Sequence, residues 1–412
     1  MDKEAALQQV AAITQALEEV TKGLKQYATV IQESGGKSDL ESIGQVSQSH
    51  TDLVSGVRTL NRASRGPVDM VFAQIEAVAY TGAVRALLEM GIFEKLPLDG
   101  TGLSADVLAN ELRVERDLLV RLMRVAVPEL FAEPEPQIYS HTPYSMVYLH
   151  PGVRGAFKLM LGEYAPVFNK LSEFFKDSGW KSPQSETNNP YTFTHQTKGL
   201  TMWEHVKLDP DYFKIWNAAM NAQGIATSFA ISIFPFKTEL SKMETTEETV
   251  LVVDVGGGLG HATKQVKALC EDVKGRIILQ DRPEVLEDIT EELPEIEKMG
   301  HDFFTPNPVK GALIYYIRRC LHDWNDENCV LILKNIACSM TRSSRLLIAE
   351  IVLPATKADV EGAWMDLTMM TFTGKERTEQ QWGDLLKDAG LRLEKTYGMP
   401  GTHYGVVEAY LT

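Results

Sequence analysis

A histidine at the end of an apolar run, trailed by carboxylates, is a candidate proton acceptor. The segment Ile314-Tyr-Tyr-Ile-Arg-Arg-Cys-Leu followed by His322-Asp-Trp-Asn-Asp has that form. If the apolar run is a strand, His322 lies at the carboxyl edge of a sheet, where open α/β sheets bind ligands. Imidazole titrates near neutral pH and can take the proton of a phenol, whose pKa is about 10. The competing reading is that His322, Asp323 and Asn325 only cap the helix that begins near Glu327. A base of this kind needs a carboxylate to orient it and to stabilise the imidazolium. Two are available. Glu350 ends the apolar run Arg345-Leu-Leu-Ile-Ala-Glu, an odd place for an acid unless it faces a site. Glu376 lies in Gly374-Lys-Glu-Arg-Thr and reads equally as a solvated acid paired with Lys375 or Arg377.

A second constellation follows Val250-Leu-Val-Val-Asp-Val, which runs into Gly256-Gly-Gly-Leu-Gly and then a helical stretch through Val266 and Leu269. Strand, glycine turn and helix let the backbone approach a ligand closely. The spacing of a phosphate-gripping loop is missing around Lys264, and His261 stands where a dinucleotide fingerprint needs its third glycine. What remains is G-x-G-x-G preceded by Asp254. Asp281, 21 positions after Gly260, suits a ribose diol, and Asp302 with Phe303 suits an adenine amine and ring. Singly, Asp281 reads as a turn acid before Pro283 and Asp302 as a surface acid; their order after successive strands favours a shared site. A site ringed by Asp254, Asp281 and Asp302 welcomes a cationic nucleoside and disfavours pyrophosphate, which matches S-adenosylmethionine.

The elements that must hold these residues are short β-branched runs alternating with helices. They are Val250–Val255, Arg276–Gln280, Gly311–Ile317, Arg345–Val352 and Tyr404–Leu411, which predict a doubly wound, mainly parallel sheet. Upstream, Gly155–Phe236 reads as helices rich in aromatics and Met, interrupted between Ser182 and Pro190. Ser104 is a natural N-cap for a short helix. After a turn near Arg113 a second helix runs through Leu118, Leu122 and Val125, followed by strand-like pieces at Phe131 and Gln137-Ile-Tyr-Ser. This is a winged-helix pattern, and a structural or dimerising role is favoured over DNA binding. Residues 2–33 predict an amphipathic helix, Ser34–His50 a linker, and Val68–Leu96 a further helix. The expected divisions are therefore 1–65 (helical extension and linker), 66–150 (winged helix), 151–240 (helical substrate-pocket region) and 241–412 (catalytic domain).

Composition bounds the function. The chain has 412 residues, 44% of them hydrophobic, enough for sizeable cores. Lys and Arg number 41 against 56 Asp and Glu, a net charge of −15 that opposes nucleic acid and anionic lipid. The start, MDKEAALQQV, has no apolar core of a signal peptide, and no apolar run of membrane-spanning length is free of charged or polar breaks. Cys270, Cys320, Cys329 and Cys338 lack C-x-x-C spacing and sit among apolar residues, so buried thiols are expected. The nine His residues form no H-E-x-x-H pattern, and no metal site is expected. The expectation is a cytoplasmic protein with no nucleic-acid or membrane partner.

In the order in which they occur, Leu251-Val-Val-Asp-Val-Gly-Gly-Gly-Leu-Gly, Gln280-Asp-Arg-Pro, Asp302-Phe-Phe, His322-Asp-Trp, Ala349-Glu and Gly374-Lys-Glu-Arg-Thr are together highly specific. From about Val71 to Thr412 the chain resembles the caffeate-type class I O-methyltransferases, especially the fungal secondary-metabolite members. The resemblance implies a Rossmann-like methyltransferase domain behind a winged-helix dimerisation domain. It also implies a homodimer whose chains contribute to each other's pockets. By it, Asp281 binds the ribose, Asp302 and Phe303 the adenine, and the turn from Gly256 through Gly258 to Gly260 the amino-acid end, with Asp254 among the cofactor-binding residues. His322 accepts the proton between Glu350 and Glu376. Arg318 stands where plant relatives carry a Lys near the cofactor, keeping the charge but changing the donor geometry. The acceptor pocket falls to Trp216 and Met220, to Trp364, Met365 and Met369, and to Asp323 beside the base; a Met and aromatic stripe also reads as plain core. The leading reading is methyl transfer to a hydroxyl, chiefly phenolic, of an aromatic or polyketide-type natural product. The alternatives are a non-methylating dehydration or pericyclic reaction that uses the cofactor as a fixed charge, and a winged-helix regulator.

Overall fold

Apolar side chains spaced three and four apart fold the first 90 residues into two long helices, α1 (Lys3–Ser34) and α2 (Leu40–Met90). The computed structural model describes residues 3–37, 39–358 and 360–412. It divides into two compact units, one of residues up to Gln26 with Asp52–Pro166 and Val206–Gln223, the other of Tyr27–Thr51, Val167–His205 and Gly224–Thr412. These breaks differ from the divisions expected at 65, 150 and 240. The helical region 151–240 is split between the units, and the two long N-terminal helices contribute to both.

In the first unit α2 breaks its helical geometry at Gly66 (φ 73) ahead of Pro67, which cannot donate the helical hydrogen bond. Beyond the break Val68, Val71, Phe72, Ile75 and Val78 stand exposed along one side. Among the described residues α2 is a helix long and apolar enough to cross a membrane. The winged helix expected downstream is present. Ser104 caps the helix Ala105–Leu112 by accepting the Val107 N–H, Arg113 turns the chain in the left-handed region, and Arg116–Ala126 buries Leu119, Val120 and Met123. Strands β1 (Leu103–Ser104), β2 (Phe131–Glu135) and β3 (Ile138–His141) form the antiparallel wing in the order β1-β3-β2.

In the second unit the stretch expected as a linker, Ser34–His50, is a correction: from Leu40 onward it is helix. Its small residues, which weaken intrinsic helicity, permit close seating on a distant loop. A Cβ on Gly44 would meet Pro400 at 3.1 Å, and the Ser47 and Thr51 hydroxyls both donate to the Gly401 carbonyl at 3.1 Å. A side chain at Gly401 (φ +73) would overlap the Gln48 backbone.

The main sheet comprises β4 (Val250–Val255), β5 (Arg276–Asp281), β6 (Ile296–Gly300), β7 (Ile314–Arg318), β8 (Arg345–Leu353), β10 (Leu391–Gly398) and β11 (Tyr404–Leu411), with the short β9 (Arg377–Thr378) pairing β8. The order is β10-β11-β8-β7-β4-β5-β6. β4 to β8 pair in parallel, whereas β11 runs antiparallel to β8 and β10. β4 lies between β5 and β7, so the chain reverses direction across the sheet there and opens a crevice at the strand ends. β10, absent from the sequence reading, is one edge, where charged residues such as Lys395 interrupt the apolar pattern; the strand expected to end ahead of Asp302 is β6, at the other edge. The expected strand at Gly311 begins only at Ile314, because Gly311 (φ +69) turns the chain. Cys270 and Cys329 are buried as expected, but Cys320 is half-buried and Cys338, closing the helix Asp326–Ala337, is exposed; all four are free thiols.

Candidate functional site

The glycine turn after β4 closes on itself through Gly256 (φ +71), Gly258 (φ +59) and Gly260 (φ +82), conformations that disfavour a side chain. Gly256 and Gly257 N–H groups donate to the Gln280 carbonyl at 2.8 and 3.0 Å, tying the turn to β5. A Cβ on Gly256 would lie 3.0 Å from the Cys320 sulfur and 3.4 Å from Phe303, whereas one on Gly258 would meet nothing within 4 Å. The turn is thus packed on one side and open on the other.

Asp254, expected among the ligand residues, is only 1% exposed and takes a hydrogen bond from the Thr263 hydroxyl at 2.6 Å. A Cβ on Gly257 would come within 2.7 Å of its carboxyl. Asp254 therefore supports the turn from beneath, where burial raises its pKa to about 6 against the pull of Thr263 and Arg318. Asp281, at the end of β5, accepts the Gly258 N–H at 2.8 Å with one oxygen and the Arg282 N–H at 2.8 Å with the other. Burial raises its pKa, and these two bonds oppose the rise. Asp302 is exposed after β6 and accepts the Phe304 N–H at 3.0 Å. Phe303 is half-buried, held against Phe304 and Trp324. Arg318, ending β7, donates to the Thr227 hydroxyl at 2.8 Å and the Thr227 carbonyl at 3.1 Å. An open glycine turn with a carboxylate at the end of each of the next two strands and a ring beside the second fits a nucleoside that carries a cationic group.

His322 is buried on the turn Leu321–Asp323 after β7. Its Nδ1 lies 2.7 Å from Glu376 Oε1 and 3.7 Å from Glu350 Oε2, and its Nε2 lies 3.6 Å from Asp323 Oδ1. Glu350 reaches it from β8 and accepts the Cys320 and Leu321 N–H groups at 3.0 Å each. Glu376 precedes β9, and its own N–H donates to Asp366. A side chain on Gly374 would overlap the His322 carbonyl, which accepts the Lys375 N–H at 2.8 Å. The histidine turn and the glutamate loop are therefore locked together. Both flanking carboxylates are buried, and each keeps one oxygen with no hydrogen-bond partner. Burial opposes the imidazolium, but Glu350, Glu376 and Asp323 outweigh it and raise the His322 pKa to about 10. Burial likewise pushes the Glu350 and Asp323 carboxyls up. The reading of Glu376 as a solvated acid is thus overturned. Of the residues read as caps of the following helix, Asn325 does cap it by accepting the Asn328 N–H at 2.9 Å, whereas His322 is held against Glu376. His322, Glu350 and Glu376 place donor atoms within 4.8 Å of one another, as a metal site would, but the 2.7 Å contact has the length of a charge-assisted hydrogen bond.

Arg377, beside Glu376, is a positioning residue the sequence reading missed. It is fully buried, donates to Asp326 through Nε and one terminal nitrogen at 2.9 and 2.7 Å, and reaches the Trp324, Lys375 and Leu321 carbonyls at 2.9, 3.1 and 3.2 Å. All five of its N–H groups are engaged across the His322 turn and the Glu376 loop. The signal is its place next to the candidate acid Glu376, where it also reads as a surface ion-pair partner.

On the helix Val360–Met370, Met365 and Met369 are buried and Trp364 is 37% exposed. Met369 would contact a Cβ on Gly374 at 3.1 Å, which places it next to the Glu376 loop. Trp216 and Met220 lie on the helix Pro210–Ala226 in the first unit, Trp216 buried near Tyr164 and Met220 41% exposed. Within the second unit the structure brings His322, Asp323, Glu350 and Glu376 together, with Cys320 linking them to the glycine turn.

Residues 180–392 match the O-methyltransferase domain and residues 73–151 the O-methyltransferase dimerisation domain. The chain belongs to the O-methyltransferase family. The methyltransferase is 40% identical over 381 residues to the O-methyltransferase kntB of Aspergillus niger, 92% of each chain being covered. Its fold matches the crystal structure of OxaC with a TM-score of 0.84 at 30% identity, over 98% of this chain and 100% of that one; OxaC has also been solved with SAH and oxaline. A pericyclic reaction enzyme shares the fold at 24% identity with a TM-score of 0.79, covering 96% of this chain and 100% of that chain. The methyltransferase is thus of the class I, S-adenosylmethionine-dependent, fungal secondary-metabolite kind, with a Rossmann-like domain behind a helical one.

Proposed function

We propose that the methyltransferase methylates a phenolic hydroxyl of an aromatic, polyketide-type small molecule, with His322 as the proton acceptor. The observation that carries this reading is the buried imidazole held at 2.7 Å by Glu376, one turn beyond the strand that borders the glycine loop. When bound, S-adenosylmethionine supplies an electrophilic methyl group on a sulfonium. The chain supplies proximity and the removal of the phenol proton. With Nδ1–H donated to Glu376, Nε2 is the lone pair left to accept that proton. The carboxylates that raise the imidazolium pKa to about 10 match it to a phenol of similar pKa, so transfer is close to isoenergetic. At neutral pH that value keeps His322 largely imidazolium, so the neutral form that accepts the proton grows as pH rises toward about 10. Asp281 holds the ribose, Asp302 and Phe303 the adenine, and the Gly256–Gly258 backbone with Arg318 the amino-acid end. Met365, Met369 and Trp364 line the apolar acceptor pocket, and Asp323 orients the hydroxyl.

We take the working form to be a homodimer, supported by the dimerisation-domain match and by the exposed Val68, Val71, Phe72, Ile75 and Val78 face that adjoins it. That reading assigns the apolar side of α2 to a subunit contact and not to lipid. The −15 charge supports a small-molecule acceptor over nucleic acid, and four free thiols suit a reducing cytoplasm. The test is to incubate the protein with S-adenosylmethionine bearing a deuterated methyl group and a panel of polyhydroxylated aromatic polyketides. Label on a phenolic oxygen, located by fragment masses, supports the reading. Label on nitrogen or carbon, or none on any phenol of the panel, overturns it.

A further inference from the structure

α1 carries two stripes with the alternating three- and four-residue spacing of a coiled-coil seam, offset by one position. The first faces inward in the first unit. Val20 would contact a Cβ on Gly56 at 3.4 Å, Gly23 faces Leu53, and the Gln9 amide donates to the Ala63 and Ser64 carbonyls at 3.2 Å. The second stripe is exposed throughout. Leu7, Thr14, Thr21 and Ala28 take one seam position, and Val10, Leu17, Leu24 and Ile31 the other; Leu7, Val10, Leu17 and Leu24 are 52–61% exposed. The two threonines are prepared for a dry contact. The Thr14 hydroxyl donates to the Val10 carbonyl at 2.9 Å and the Thr21 hydroxyl to the Leu17 carbonyl at 2.8 Å, so their methyl groups are what they present.

We infer that this stripe packs antiparallel against the same stripe of α1 in a second copy of the chain. The sequence along α1 favours that occupant and that direction. Antiparallel layers set Leu17 against Thr21 of the second copy, Leu24 against Thr14 and Val10 against Ala28, large against small, with Leu7 against Ile31 closing each end. A parallel pairing would stack threonine on threonine and leave gaps. Within the first unit α1 rests on the part of α2 that leads through Gly66 and Pro67 into the apolar Val68–Val78 face, so the new contact continues the surface adjoining the dimerisation domain. It lies outside the matched domain, which begins at residue 73, and does not depend on the reaction catalysed.

The test is the double variant Leu7→Cys/Ile31→Cys, oxidised with copper phenanthroline beside the wild type and run on a non-reducing gel. The two positions are about 36 Å apart on one helix and cannot join within a chain. A covalent dimer in most of the double variant and in neither single variant is expected. Cross-linking of a single variant would show a parallel contact, and an unlinked double variant would show that something else covers the stripe; either overturns the inference. In Leu17→Glu/Leu24→Glu, analytical ultracentrifugation should show self-association weakened at least tenfold with the circular-dichroism spectrum retained. An unchanged sedimentation profile would also refute it.

Discussion

Replacing Glu376 by Gln keeps the shape of the side chain and removes the charge nearest His322 Nδ1. In the protein the imidazolium is favoured up to pH about 10 because burial, which opposes it, is outweighed by Glu350, Glu376 and Asp323. An opposite charge at hydrogen-bond distance raises such a group by about 1–3 pH units, so its loss moves the His322 midpoint down by that amount. The same loss withdraws about 1.4–4 kcal/mol from the imidazolium that forms as the acceptor proton is taken. On the plateau above both midpoints turnover should therefore fall by about 10- to 1000-fold, while the acidic limb of the pH profile moves to lower pH. The midpoint can be read without any acceptor, by NMR of protein labelled with 15N-histidine, the His322 signal being identified by its absence in His322→Ala. A midpoint that stays in place or rises in Glu376→Gln would refute the electrostatic assignment.

Asp281→Asn removes the carboxylate that accepts the Gly258 N–H and that we propose holds the ribose, and should weaken S-adenosylhomocysteine binding about 10- to 100-fold by calorimetry. Gly256→Ala adds a side chain at φ +71 against Cys320 and Phe303; binding should weaken more than tenfold with an unchanged circular-dichroism spectrum. The His322 pKa is raised from its ordinary value, so its contribution to stability is complete below pH about 6.5 and is lost as pH rises through about 10. The melting temperature of the wild type should fall across that window more steeply than that of His322→Gln, and parallel curves would contradict the linkage.

The glycine turn was legible because three glycines at a strand end have few other uses, and Glu350 because a charge closing an apolar run must be neutralised by something it faces. Glu376 and Arg377 were harder. Acid and base adjacent in a polar segment look like a solvated pair, and only the fold shows that both are buried against the His322 turn. Asp254 followed the cofactor pattern in sequence, yet the strand turns its carboxyl under the loop toward Thr263. The edge strand β10 escaped because one-sided pairing tolerates the charges that erase a period-two pattern. The helix from Leu40 to Thr51 read as a linker because what holds it, Pro400 and Gly401, lies about 350 residues away in the chain.

The most direct measurement is the molar ratio of S-adenosylhomocysteine released to acceptor converted, in wild type and in His322→Ala, with binding of S-adenosylmethionine measured on both. Methyl transfer with His322 as the base requires one mole released per mole of O-methylated product. It also requires a variant that binds the cofactor within about threefold of wild type and turns over about 100- to 10,000-fold more slowly. Acceptor converted with no S-adenosylhomocysteine released would contradict methyl transfer, and full turnover in His322→Ala would contradict the role given to the histidine.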